Sequence, residues 1–172
     1  PTPSLESKSQ PQHESTKTVK TGLKSITGSG LESQNDFSVT GKAMVSDVPI
    51  TYLGYVNRDT GVIEETGHPL DGEAIEDTIL IYPKGSGSTV APYVLMGLVY
   101  TGKGPKAIIN RDVCPLTLPA CSLLNVPYGH GFEQDPCLEI NDGDIVEMSR
   151  KDGVVSLKIL EHFLITARPI IF

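Results

Sequence analysis

Apolar and polar positions divide the chain into a polar opening and a body of short apolar runs. From Pro1 to Asp36 the large apolar side chains come singly, at Leu5, Val19, Leu23, Ile26 and Leu31, among Ser, Thr, Gln, Lys and Pro, and no aromatic residue occurs. Such a stretch buries too little surface to offset its ordering entropy, which predicts a flexible tail or linker over residues 1–36. Beyond it the alternation Phe37, Val39, Ala43, Val45 predicts a strand interrupted at Gly41, and Ile50 to Val56 a second. Asn57-Arg58-Asp59-Thr60-Gly61 reads as a turn, followed by an extended piece at Val62-Ile63. Ile75 to Tyr82 ends in an uninterrupted apolar run that suits a buried strand, stopped by Pro83. Val90 to Tyr100 predicts a buried helix with Pro92 tolerated in its first turn, Ala107 to Ile109 a short buried strand, and Leu116 to Leu124 a second, proline-interrupted helix. Ile145–Ser149 and Val154–Ile159 flank Asp152-Gly153, a strong hairpin signal. The sum is a β-rich α/β domain over 37–160 with helices covering one sheet. An apolar end, 161–172, is expected to dock on this domain or on a partner.

Charge and cysteine content narrow the function classes. The 172 residues carry 14 Lys+Arg against 21 Asp+Glu, a net charge of −7, and the 1–36 segment is itself neutral. That excludes a nucleic-acid binder working by bulk charge. Apolar runs are too short to cross a bilayer as helices, so no membrane partner is expected. No signal-peptide core opens the sequence, and three cysteines, an odd number, make no disulfide framework. A reducing, cytoplasmic setting follows as the expectation.

The densest chemistry lies between the run ending at Tyr82 and the helix starting near Val90: Lys84-Gly85-Ser86-Gly87-Ser88-Thr89. Glycines let the backbone turn and approach a ligand, and the following helix aims its free N–H groups and positive dipole end at the same place. An anionic group could dock there, and Ser88 could act as base or nucleophile; equally, Ser88 could be a plain helix cap. A phosphate-binding Walker loop would need Gly-Lys-Ser/Thr at its end, and a hydrolase elbow would need Ser where Gly87 stands. Cys114, Cys121 and Cys137 lack the close pair of a zinc or iron-sulfur site and read as buried structural thiols. His130, in Gly129-His130-Gly131, is placed in a flexible loop able to reach a site. Asp71, Glu73, Glu76 and Asp77 read as a solvated acidic edge, and Asn141-Asp142-Gly143-Asp144 as a turn without the ligand series of a calcium loop.

Ordered motifs over some two thirds of the chain carry a resemblance. They run from Gly41-Lys42-Ala43 through Ile50-Thr51-Tyr52-Leu53-Gly54, Asp59-Thr60-Gly61-Val62-Ile63 and His68-Pro69-Leu70-Asp71-Gly72-Glu73. Ile79 to Thr89, Tyr93-Val94-Leu95, Gly104 to Asn110 and Asp142-Gly143-Asp144 complete the set. In these, Val39 to about Ile159 resembles the small swivel subunit or domain of the aconitase X family. The resemblance implies a swivelling β/β/α domain and dehydratase chemistry on hydroxy acids, with phosphomevalonate and cis-3-hydroxyproline among the family's substrates. It implies a large catalytic partner carrying an iron-sulfur cluster on its own cysteines, with no metal or cofactor held by this chain alone. By the same likeness Ser88 is the catalytic base, removing the proton next to a carboxylate while cluster iron takes the hydroxyl as a Lewis acid. Gly85, Ser86, Gly87 and Thr89 shape the loop and bind the small anionic substrate, and Lys84 adds charge.

His68 matches a family segment as a site or structural residue. Tyr55 stands where the family usually has a small residue after the glycine equivalent to Gly54. The sequence also departs from the family over Asp112 to Cys121 and in an extra loop, Tyr128 to Cys137, expected to face the partner or pocket. Two alternatives stay open: a relative with altered chemistry or a noncatalytic subunit that only positions an anion, and a standalone anion-binding domain.

Overall fold

The computed structural model describes residues 16–19 and 24–165. Its elements run β1 (Thr16–Val19), β2 (Ser25–Gly30), β3 (Phe37–Val45), α1 (Tyr52–Tyr55), β4 (Ile79–Tyr82), α2 (Ala91–Tyr100) and β5 (Ala107–Asn110). They continue as α3 (Leu118–Leu124), β6 (Tyr128–His130), α4 (Pro136–Glu139), β7 (Ile145–Lys151) and β8 (Val154–Ile165). Strands β3, β4, β5 and β6 lie parallel and side by side. Helix α2 spans the β4–β5 crossover and α3 the β5–β6 crossover, as parallel neighbours require. Antiparallel β7 continues from β3, and long β8 pairs with both β7 and β2 while β2 pairs with β6. The order β8-β2-β6-β5-β4-β3-β7 therefore returns to β8 and closes a barrel-like sheet, with β1 on the far end of β8.

Side-chain alternation along the parallel strands makes two cores. Ile79 and Ile81 of β4 join Ala107, Ile109, Val146, Met148, Val155 and Leu157 inside the barrel. Leu80 and Tyr82 face outward, where Ile108 and Tyr128 meet the helical layer of Leu95, Leu98, Ala120 and Cys121. Each such fully buried Leu or Ile contributes about 1.5–3 kcal/mol of transfer free energy. The continuous apolar run before Pro83 thus reflects a strand wanted on both faces. Pro92 and Pro119 sit in the first turns of α2 and α3. Asp152 and Gly153 both take positive φ, 51° and 83°, in the β7–β8 turn. The expected β-rich α/β architecture, with helices covering one sheet, is the one observed.

Four local expectations need correction. Residues 25–34 belong to the fold and not to the tail assigned over 1–36: β2 closes the barrel, Ile26 points into it, and the buried Gln34 holds neighbouring backbone. Gln34 Nε2 donates to Val126 O at 2.6 Å and its Oε1 accepts from Tyr128 N at 3.2 Å. The remainder of that tail, residues 1–15 and 20–23, lies outside the described residues. Ile50–Val56 is not a strand, because Gly54 turns left-handed at φ 91° and leaves only single bridges at Ile50 and Val56. Tyr128–Cys137 is not a projecting loop, since Tyr128–His130 is a strand between β2 and β5 and His130 pairs opposite Ser29. Finally, the boundary at 160 moves: 161–165 continues β8 and so packs on this domain, one of the two expected placements, tied down by buried Asp144, which accepts from Phe163 N at 2.8 Å and meets His162 Nδ1 at 3.0 Å. The rest of the expected extension, 166–172, is outside the described residues.

Closure needs a strand without side-chain bulk. A Cβ at Gly28 would stand 2.6 Å from the His130 carbonyl oxygen and 2.9 Å from the Phe132 ring. Gly28→Ala is therefore expected to lower stability by about 1–3 kcal/mol, read as a lower urea midpoint with an unchanged slope; an unchanged midpoint would refute this closure.

Candidate functional site

The segment Lys84–Thr89 leaves the C-terminal end of β4 and enters α2, so its position is inherited from a fully buried strand of the sheet. One flank is stitched to Ile50, whose N–H donates to Lys84 O at 3.2 Å and whose carbonyl accepts from Ser86 N at 2.9 Å. The other flank meets Cys114, whose Sγ accepts the Gly85 N–H at 3.1 Å. Gly85 is buried between them, and a Cβ there would lie 3.2 Å from Leu116 and 3.3 Å from Cys114 Sγ. Gly87 turns at φ 95° against the Thr51 methyl.

Ser88 emerges exposed from this cradle. It is not the N-cap of α2, which is Val90; its Oγ instead accepts from the Val90 N–H at 3.3 Å, while its carbonyl accepts from Ala91 N at 2.9 Å. Among the described residues no internal acceptor takes the N–H groups of Gly87, Ser88 or Thr89. With the positive end of α2 beside them, these donors can receive an anion's oxygens. Lys84 and Thr89 are exposed on the same segment, and Ser86 is half-buried.

Beneath the loop lies a polar floor that no spacing in the sequence announces. Tyr82 Oη meets Tyr52 Oη at 2.6 Å and Thr117 Oγ1 at 3.0 Å. Tyr128 Oη donates to Asn110 Oδ1 at 2.8 Å and accepts the Cys114 N–H at 3.4 Å. Burial pushes all three tyrosine hydroxyls up, so they stay neutral. These partners are 14 to 35 residues apart in sequence. Their only trace there is polar atoms within apolar runs.

His68 is brought near the loop without entering it. Its Nδ1 accepts from Leu70 N at 3.0 Å, leaving Nε2–H to donate to Pro49 O at 3.0 Å, one residue before Ile50. The ring is buried and braces the segment that pairs with Gly85. Tyr55 is exposed on the α1 turn, beyond Thr51. His130 is partly buried in β6, which lowers its pKa. The acidic residues Asp71, Glu73, Glu76 and Asp77 are all exposed.

The thiols do not suit a cluster on this chain. Cys114, Cys121 and Cys137 are buried and free, and they divide between two cores and the loop contact. Burial, then nearby Asp135, pushes Cys137 up to about 12, and burial pushes Cys121 higher still. A metal site needs thiolates. Among the described residues no three His, Cys, Asp or Glu side chains converge on a metal position.

A barrel-like sheet with helices over its parallel strands, presenting a glycine-serine loop, defines a class: the chain belongs to the aconitase X swivel domain family, whose model matches residues 32–157. It is 38% identical over 118 residues to the phosphomevalonate dehydratase small subunit of Methanocella arvoryzae, covering 69% of this chain and 89% of that one. The Pyrococcus abyssi protein of the same name is 40% identical over 119 residues, with the same shares covered. Among solved structures, the crystal structure of Thermococcus kodakaraensis aconitase X in its holo-form is similar at a TM-score of 0.69 and 26% identity, over 78% of this chain and 98% of that one.

The loop geometry depends on Gly87. A side chain there would combine positive φ with a 3.1 Å contact to Thr51, so Gly87→Ala should cost about 1–2 kcal/mol in urea unfolding. No loss would mean that the loop does not adopt this turn.

Proposed function

We propose that this chain is the small, swivel component of a two-part aconitase X-type dehydratase that eliminates water from a hydroxylated carboxylate. The observation that carries this reading is Ser88, an exposed hydroxyl beside three uncommitted backbone N–H groups on a loop anchored at both flanks. Relatives named as phosphomevalonate dehydratase small subunits, matched over 89% of their own length, support it, and a phosphorylated hydroxy acid is the substrate class to try first.

In this reading Ser88 Oγ, deprotonated in the assembled site, takes the proton from the carbon next to the carboxylate. The C–H electron pair becomes the new C=C bond as the hydroxyl leaves the adjacent carbon, and proton and hydroxyl depart as water. The N–H groups of Gly87, Ser88 and Thr89 hold substrate oxygens, and Lys84 adds positive charge. The iron-sulfur cluster is assigned to the large partner's cysteines, because this chain's three thiols are buried and divided between two cores and the loop contact.

The partner's surface follows from what surrounds the loop. Tyr93 and Tyr100 stand seven residues apart on one face of α2, 71% and 87% exposed, and Leu123 of α3 is 71% exposed. An apolar cleft of about 370 Å³ runs between the two helices from Thr89 past Pro92 and Met96 to Leu123. Covering it would bury apolar surface and exclude water from Ser88 together.

Two measurements test the reading. In the assembled complex, Ser88→Ala should cut kcat by about 10²–10⁴-fold, followed by absorbance of the new double bond, with assembly and iron content unchanged. Retained turnover would remove the serine base and favour an anion-positioning role. Tyr93→Asp should abolish co-purification with the large partner while leaving the melting temperature of the isolated chain in place; full co-purification would move the interface elsewhere.

A further inference from the structure

Resting on the reading of Ser88 as the base, we infer that Cys114 is a positioning residue for the Gly85–Thr89 loop, acting through the Gly85 amide. Gly85 N–H points into the protein, where the Cys114 sulfur, 2% exposed, accepts it at 3.1 Å. Among the described residues that amide has no other acceptor. Removing the sulfur would leave a buried donor unpaired, which a loop can relieve only by moving toward water.

The sulfur is itself held from the sheet. The Cys114 N–H donates to Tyr128 Oη at 3.4 Å, and Tyr128 donates to Asn110 Oδ1 at 2.8 Å, so β5 and β6 are linked to the loop through hydrogen bonds. A second support lies alongside it, because Thr117 Oγ1, which a Gly85 Cβ would approach to 3.5 Å, is held by Tyr82. Ile50 fixes the opposite flank with two main-chain bonds. Without Cys114 the loop would keep that one edge and could pivot about it, displacing Ser88 three residues on. A proton acceptor shifted by a fraction of an ångström loses rate more than affinity. Cys121 is a matched control: it is a buried thiol in the helical-layer core, and among the described residues its sulfur makes no hydrogen bond to the loop.

The test combines hydrogen exchange on the full chain with kinetics of the assembled complex, using Cys114→Ala, Cys114→Ser and Cys121→Ala. Cys114→Ala should speed exchange of the Gly85 amide at least tenfold relative to the amides of β4, and lower kcat about tenfold with KM within twofold. Cys114→Ser should recover much of both, and Cys121→Ala should change neither while lowering stability comparably. Unchanged Gly85 exchange in Cys114→Ala would overturn the anchor. Faster exchange with unchanged kcat, or equal kcat loss in Cys121→Ala, would overturn the positioning role. If Ser88→Ala retained turnover, the base assignment would fall and the positioning role with it, while Gly85 exchange would still decide whether the thiol holds the loop.

Discussion

Strand β4 is only four residues long, yet both of its faces are buried and both of its edges are paired. Ile79 and Ile81 fill the barrel while Leu80 and Tyr82 receive the helices, so this backbone, like that of β5 beside it, divides the two cores. A chain buried on all sides has no freedom to slide, because a one-residue slip would exchange its two sets of side chains between differently shaped cores. The segment that follows Tyr82 begins from a strand held on both faces and both edges.

That constraint explains how a glycine-rich stretch can serve as a site. Glycines give backbone the conformations it needs, at an entropic cost that something else must offset. Here Ile50 on one side and Cys114 on the other hold Gly85, while hydroxyls from Tyr52, Tyr82 and Thr117 fill the polar space below. Internal contacts thin out toward Ser88, which is exposed and whose hydroxyl keeps one hydrogen bond, from the Val90 N–H. An exposed hydroxyl on an anchored loop with an open front is what the proposed role of Ser88, in a site completed by another surface, requires. The exposed tyrosines of α2 are on hand for that contact.

The sequence was most legible where local chemistry and tertiary demand agree. The run Ile79–Tyr82 declares a strand buried on both faces, Asp152-Gly153 declares its hairpin, and Pro92 marks a helix start, whereas Pro119, expected to interrupt a helix from Leu116, instead sits in the first turn of one that begins at Leu118. It was least legible at Ser25–Gly30. By composition those residues are linker, and only the space between β8 and β6, too narrow for a Cβ at Gly28, makes them a strand. Tyr128–His130 misled in the same way, since a three-residue strand with a central glycine carries no periodicity of its own. His130, expected in a mobile loop, is held in that strand.

By itself the sequence determined the family, the buried strands Ile79–Tyr82 and Ala107–Ile109 with the two helices that cover the sheet, and the glycine-serine loop, because each is written in contiguous residues whose pattern reflects local backbone physics. The tertiary structure alone decided how the barrel closes, that His68 braces Pro49 instead of facing a ligand, and that a cysteine 29 residues away accepts the Gly85 amide. Those outcomes depend on which buried donors and acceptors lie within about 3 Å of each other, and chain separation carries no information about that distance once the sheet has folded back on itself.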